Sequence, residues 1–305
     1  MEHFDLAIAY TWEYDKDFVE AFKSEFIKKN LSTLLISYDN LKEVEEKVRN
    51  NDLYFDFYLD RASDVEEEFE PLAKWVTENN VRVFNRYDYV NFAIDKATMH
   101  LEFITNGINT PYTIIISPYS EIENIELSLD QLAKLGRPFI IKPANTTGGG
   151  IGVVKGAETL ADVLKARKNF QTDKYLLQEK IIPIKVDGKR FWFRGFYVLG
   201  KVFLCWWNDI THIYDELTDY EIEKYNLYEM KNIVEKIASI TKLDFFSTEI
   251  ALTAENKFVV IDYVNDQCDM RLKSKHIDGV PDALIFKIID SFSEYILKAK
   301  QEKSI

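Results

Sequence analysis

Cysteine is nearly absent from this chain: Cys205 and Cys268 are the only two in 305 residues. That is too few for a disulfide framework, and they lack the partner spacing of a zinc site, so a reducing compartment is expected. The four histidines are scattered with no metal-ligand spacing either. No apolar run approaches the ~20 residues that span a bilayer. The opening MEHFDLAIAY lacks the charged start and long apolar core of a signal peptide. Positive charge is in deficit, with 38 Lys and Arg against 51 Asp and Glu for a net charge of -13. A general nucleic-acid binder needs a basic face to neutralise phosphates and is excluded, although a local basic pocket for one small anion is not. Repeats, low-complexity tracts and long flexible linkers are missing. These absences predict a soluble, cytoplasmic protein with neither membrane nor nucleic-acid partners.

What is present is an aromatic-rich globular chain (21 Phe, 17 Tyr, 5 Trp) with room for two or three compact units. Strand-like FDLAIAY (4–10), LSTLLIS (31–37), LYFDFYL (53–59) and VRVF (81–84) alternate with helical stretches at 15–29, 41–50 and 66–79. Such β-α alternation predicts a parallel sheet with helices on its faces. Residues 88–105 read as one helix ending at NGINTP, where Gly107 and Pro111 punctuate the chain. A strand at 112–117, a helix near 128–135, a strand from 139, a short helix at 159–169 and a strand at 174–182 have the size of a small α+β lid. RFWFRGFYVLGKVFLCWWN (190–208) predicts two long strands turning near Gly200. A helix over 221–242 follows, then a strand pair STEIALT and KFVVIDYVN turning at Glu255-Asn256. A last helix from Pro281 keeps Ile285, Ile289, Phe292 and Ile296 on one side.

The stretch FIIKPANTTGGGIGVVKG (139–156) carries the chemistry. Glycine lets the backbone approach a ligand closely, and successive exposed N–H groups suit phosphate oxygens. Lys142, on the strand just before, adds a compact positive charge. A phosphate-binding loop is one reading; a tight hairpin with glycines at its bend is the other. No Gly-Lys-Ser/Thr triplet follows, and position 155 is Lys where a dinucleotide fingerprint needs glycine. Moreover, the loop leads into a strand, not a helix.

A lysine strand followed by a glycine-rich loop resembles the ATP-grasp superfamily, and further segments match in order. YLLQEKI (175–181) is similar to the strand reaching the adenine, which implies Gln178, Glu179 and the backbone at Ile181 as base contacts. Asp187 falls where the family keeps an acid for the ribose hydroxyls. FRGFYVLGKV (193–202) resembles the strand whose arginine, here Arg194, faces the phosphates. STEIALTAENKFVVIDYVND (247–266) resembles the paired strands bearing the metal acids, here Glu249 and Asp262. IDKATMHLEFITNGINTPYT (94–113) resembles the segment that leads into the fold, making Lys96 a second phosphate contact beside Lys142, Gly148, Gly149 and Gly150. The resemblance covers roughly residues 94–271. It implies an α/β and α+β chain: an N-terminal parallel β/α domain (1–93), then a two-subdomain ATP-grasp fold with a lid (94–182) and a C-terminal part (183–305).

Each residue also has an ordinary role. Glu249 and Asp262 could be surface acids, but an unpaired charge within VVIDYVN is costly unless a cation offsets it. Mg²⁺, or Mn²⁺ in its place, suits two carboxylates with an Asn carbonyl and phosphate oxygens. Asn265 lies three residues from Asp262, which in a regular strand puts them on opposite faces. Either the strand ends or bulges there, or Asn265 is no ligand, with Asp266 as the alternative on Asp262's side. Lys142 could be an edge lysine snorkelling to water, and Lys96 a solvated helix residue. Arg271, just past the metal strand, is a candidate for holding substrate or the transferring phosphate. Arg61 follows a strand end where open parallel sheets bind ligands, yet a surface arginine is the plainer reading. DVEEEFE (64–70) reads as a solvated helix N-terminus. WWNDITHIYDE (206–216) reads as a mobile substrate loop or an aromatic hairpin end.

The resemblance implies that ATP phosphorylates a carboxylate and an amine attacks the acyl phosphate, releasing ADP and phosphate. Carboxylate and amine substrates, small molecules or peptides, are the expected partners. A homodimer and a monomer both stay open. The same fold can instead phosphorylate a hydroxyl, or bind nucleotide without turnover; the full complement of candidate acids and cations disfavours the last. The acceptor is not readable, because its pocket is drawn from the variable N-terminal domain and peripheral loops.

Overall fold

A computed structural model describes residues 1–145 and 150–303. The chain forms two compact units, each gathered from separate stretches. The first takes Met1–Asn91, Phe193–Ser247 and Asn265–Ile305; the second takes Phe92–Trp192 and Thr248–Val264. The segment 183–305, expected as one C-terminal part, thus contributes to both.

The first unit opens with β1 (Glu2–Tyr10), α1 (Lys16–Lys28), β2 (Thr33–Ile36), α2 (Leu41–Arg49), β3 (Leu53–Arg61), α3 (Glu70–Glu78) and β4 (Arg82–Phe84). Its strands pair in parallel in the order β2-β1-β3-β4. Parallel sheets are covered on both faces, and strand alternation sorts the side chains accordingly. Leu6, Ile8, Phe57 and Leu59 pack with Phe18, Phe22 and Phe26 of α1. Ala7, Ala9 and Tyr58 pack with Leu41, Val44 and Val48 of α2. Each buried phenylalanine of α1 contributes roughly 2 kcal/mol through the apolar area it removes from water.

The helix expected over 88–105 is two, α4 (Tyr87–Ile94) and α5 (Lys96–Thr105). Asp95 divides them: its backbone is extended, and its carboxylate accepts the N–H groups of Ala97 and Thr98, capping α5. Then come β5 (Thr113–Ile116), α6 (Leu129–Leu135), β6 (Phe139–Pro143), β7 (Val154–Ala157), α7 (Leu160–Ala166) and β8 (Tyr175–Gln178). The sheet order is β5-β8-β6-β7 with every neighbour antiparallel. Phe139 and Ile141 of β6 and Tyr175 and Leu177 of β8 pack with Leu135, Val163 and Ala166 of the two helices. Strand alternation therefore turns Lys142 and Gln178 to the opposite face. Strand β8 stops at Gln178, short of the span expected to 182. A small hairpin follows, β9 (Lys185–Val186) and β10 (Lys189–Arg190).

The rest of the chain forms β11 (Trp192–Val198), β12 (Lys201–Trp207), β13 (Tyr214–Glu216), α8 (Asp219–Lys224), α9 (Glu229–Thr241), β14 (Phe245–Leu252), β15 (Phe258–Val260) and α10 (Asp282–Lys303). The strand order is β13-β12-β11-β14-β15. The turn between β11 and β12 has positive φ at Leu199 and Gly200 (50° and 89°), as the sequence led one to expect. The helix foreseen over 221–242 is interrupted at Asn226, where φ is 52°. Ile285, Ile289, Phe292 and Ile296 of α10 are fully buried in the first unit's core, Phe292 edge-on to Phe22 at 5.2 Å. Among the described residues no helix is long and apolar enough to cross a membrane.

Candidate nucleotide and metal site

In the second unit Lys142 is 7% exposed and donates from Nζ to the Ile261 carbonyl at 3.1 Å. It is no snorkelling edge residue. Its Nζ stands 5.2 Å from the centroid of the Tyr263 ring. Burial pushes its pKa down from 10.5 to about 8, and Lys96 adds to the fall, while Asp262 and Glu249 pull the other way. Lys96 occupies the first position of α5, its backbone N–H donating to Ala144 O at 3.2 Å, just beyond β6. One ammonium group and two carboxylates thus act electrostatically on Lys142 within this unit.

Glu249 is the one residue of β14 not classed as buried. Its N–H donates to Asp262 O at 3.2 Å and its carbonyl accepts from Ile261 N at 2.9 Å. The two acids therefore sit on paired neighbouring segments, both half-buried. The Trp192 indole donates to Glu249 Oε2 at 3.0 Å and orients that carboxylate; nothing in the sequence pattern marked Trp192. Hard oxygen donors on adjacent segments fit Mg²⁺. Among the described residues no three of His, Cys, Asp and Glu are grouped to hold a metal.

Asp262 lies beyond the strand rather than inside it, because β15 ends at Val260. Pairing passes from Ile250↔Val260 to Ser247↔Asn265, three residues along one chain and five along the other. That bulge removes the strict alternation that would separate Asp262 from Asn265. It also removes the premise that placed Asp266 on Asp262's side.

Gln178 is 2% exposed, and its Nε2 lies 2.7 Å from Tyr263 Oη and 3.0 Å from Thr113 Oγ1. Glu179 is engaged with β5: Oε1 accepts the Tyr112 N–H at 2.8 Å and its own N–H donates to Tyr112 O at 2.9 Å. Ile181 is half-buried beyond the strand end. Asp187 is exposed at the β9–β10 turn with Gly188; φ values of 51° and 79° give a two-residue hairpin turn that Asp-Gly favours. Gly148 and Gly149 lie outside the described residues. Gly150 and Gly152 have positive φ (78° and 77°), and a Cβ on Gly152 would stand 2.6 Å from Phe170 Cε2. The loop joins antiparallel β6 and β7, in keeping with the strand foreseen after it.

The remaining candidates belong to the first unit. Arg194 is 7% exposed on β11, donates to Ser247 Oγ at 3.4 Å and lies 4.9 Å from the Trp207 ring. Asn265 pairs through its backbone with the same Ser247. Arg271 is held by Asp269 and Asp278, at 2.7 and 3.0 Å from Nη2, and its guanidinium stands 5.8 and 5.7 Å from the rings of Trp12 and Tyr14. Arg61 is not a surface arginine. It is 2% exposed, its Nε and Nη2 donating to Asp15 at 2.9 and 2.7 Å, because a guanidinium at a covered strand end must find a carboxylate. Nor is Asp64 a solvated acid: burial, then the charges of Asp266 and Asp60, push its pKa up. Residues 206–216 form the aromatic hairpin end, with Trp207 stacked on His212 at 5.5 Å. Both cysteines are buried free thiols.

The fold is similar to that of solved ATP-grasp proteins. Among solved structures, D-alanine–D-alanine ligase from Bacillus anthracis, in a form complexed with ATP, is 15% identical; the match covers 98% of this chain and 99% of that one with a TM-score of 0.66. The RimK domain ATP-grasp protein from Sphaerobacter thermophilus is 14% identical over 95% and 99% of the chains, TM-score 0.61. D-cycloserine synthetase DcsG is 13% identical over 95% and 99%, TM-score 0.62. No protein-family model and no curated protein matches the chain.

Proposed function

We propose that this chain is an ATP- and Mg²⁺-dependent ligase that activates a carboxylate as its acyl phosphate and joins it to an amine, releasing ADP and phosphate. The observation that carries the reading is the buried Lys142, acted on by both Glu249 and Asp262 on an ATP-grasp framework. A lysine with depressed basicity gains a proton-stabilising partner when an anion arrives, which suits a triphosphate better than a structural role. Lys96 and Lys142 hold the phosphates together with the amides of the glycine loop. Gln178, Glu179 and the Ile181 backbone meet the base, and Asp187 the ribose. Glu249, aimed by Trp192, and Asp262 hold the metal, which when bound neutralises phosphate charge in the transition state. Arg194, Asn265 and Arg271 are assigned to phosphate, metal and substrate by the resemblance alone. The D-Ala-D-Ala ligase and cycloserine synthetase names favour small carboxylates and amines as substrates.

Phosphorus NMR with Mg-ATP and pooled amino acids, dipeptides and small carboxylates tests the proposal. ADP and free phosphate should appear only with certain pool members. A Glu249→Gln, Asp262→Asn double variant should lose at least about a hundredfold in turnover. Full activity in that variant would remove the metal assignment, AMP with pyrophosphate would contradict the mechanism, and a lasting phosphorylated product would favour a kinase.

A further inference from the structure

We propose that Tyr263 is a positioning residue that locks the Gln178 amide in one orientation and so makes the site select a 6-amino purine over a 6-oxo purine. The inference rests on the nucleotide site proposed above. An amide NH₂ has two hydrogens, and both are taken: one by Tyr263 Oη at 2.7 Å, the other by Thr113 Oγ1 at 3.0 Å. Each of these hydroxyls has another acceptor for its own hydrogen. The Tyr263 hydroxyl also meets His100 Nδ1 at 2.7 Å. Burial and the nearby Lys142 charge push the His100 pKa down to about 4, so the ring is neutral near pH 7 and can take the phenolic proton. The Thr113 hydroxyl donates to Pro111 O at 2.9 Å. Flipping the amide would press Oε1 against two oxygens whose hydrogens are committed elsewhere.

In the locked orientation Oε1 takes no hydrogen bond from a described residue and is not sealed off from solvent, so what remains accessible of this 2%-exposed side chain includes its carbonyl. A ligand that covers this carbonyl must offer it a donor, or leave it unpaired and dry. Adenine offers one in its 6-amino group; hypoxanthine and guanine put an oxygen there, and two acceptors repel. Tyr263 acts twice, since its ring face also lies 5.2 Å from Lys142 Nζ. The hydroxyl and the ring can be separated, because phenylalanine keeps one and deletes the other.

The test is calorimetric titration with ATP, ITP and inorganic tripolyphosphate. The wild-type chain should favour ATP over ITP by at least about tenfold. Tyr263→Phe should cut that ratio by about tenfold while leaving tripolyphosphate affinity within about twofold, because the ring under Lys142 persists. Thr113→Val, which removes the second acceptor from a different strand, should shift the ratio the same way and decides alone if Tyr263→Phe does not fold. An unchanged ratio in the folded variants would overturn the inference and leave the ligase reading standing. Failure of the wild-type chain to bind either nucleotide would overturn the proposed site itself.

Discussion

Replacing Lys142 by methionine should make the nucleotide-free protein more stable and, on the proposed function, abolish turnover. Methionine keeps the aliphatic stem that fills the buried position and deletes the ammonium. The fall in Lys142 pKa from 10.5 to about 8, caused first by burial, is a penalty on the charged form in the folded state. At about 1.4 kcal/mol per pH unit it amounts to about 3 kcal/mol. The lost hydrogen bond from Nζ to Ile261 O offsets about 1 kcal/mol. A net gain of about 2 kcal/mol follows at pH 7. The pH dependence has a definite sign. Below pH 8 both folded and unfolded chains carry the proton, and the folded chain bears the whole penalty. Between pH 8 and 10.5 the folded chain binds fewer protons than the unfolded one, so wild-type stability from this group rises with pH. Urea denaturation of both proteins at several pH values from 7 to about 10 reads the difference directly. The advantage of the methionine variant should be greatest at pH 7 and shrink as pH climbs past 8. A variant no more stable than wild type at pH 7, or an advantage that does not change with pH, would refute the reasoning.

Two further substitutions probe the scaffold. Gly152→Ala places a Cβ 2.6 Å from Phe170 Cε2 and 3.1 Å from Pro143 Cγ at a φ of 77°, and a loss of about 2–4 kcal/mol in a urea titration is expected from left-handed strain plus overpacking. A loss under about 1 kcal/mol would mean that Phe170 yields freely. Arg61→Ala strands Asp15, itself 1% exposed, without its partner, and should cost about 3–5 kcal/mol by the same measurement, with Asp15→Asn, Arg61→Met together recovering most of it. If the double variant is no better than the single one, the ion pair is not what matters there.

Local pattern determined a good deal. The β-α alternation of the first 84 residues, Phe18, Phe22 and Phe26 at helical spacing, and Lys142 before the glycines are all short-range signals, and each is realised in the elements described. Periodicity could not see where one element stops and the next begins: Asp95 capping α5 split an apolar stretch that reads as a single helix. It also could not see partners distant along the chain. Arg61 looked like any charged residue at a strand end until Asp15, 46 residues away, was found against it in the core. Trp192 reaches Glu249 across 57 residues and Tyr263 reaches Gln178 across 85, pairings that no spacing rule encodes. The bulge between Val260 and Asn265 is likewise a product of pairing with β14, not of the residues in VVIDYVN. Local backbone preference and burial periodicity act over a few residues and are written in the sequence. Desolvation of Lys142, the ion pair of Arg61 and the orientation of the Gln178 amide depend on which distant groups the fold brings within hydrogen-bond reach, and only the tertiary structure decides that.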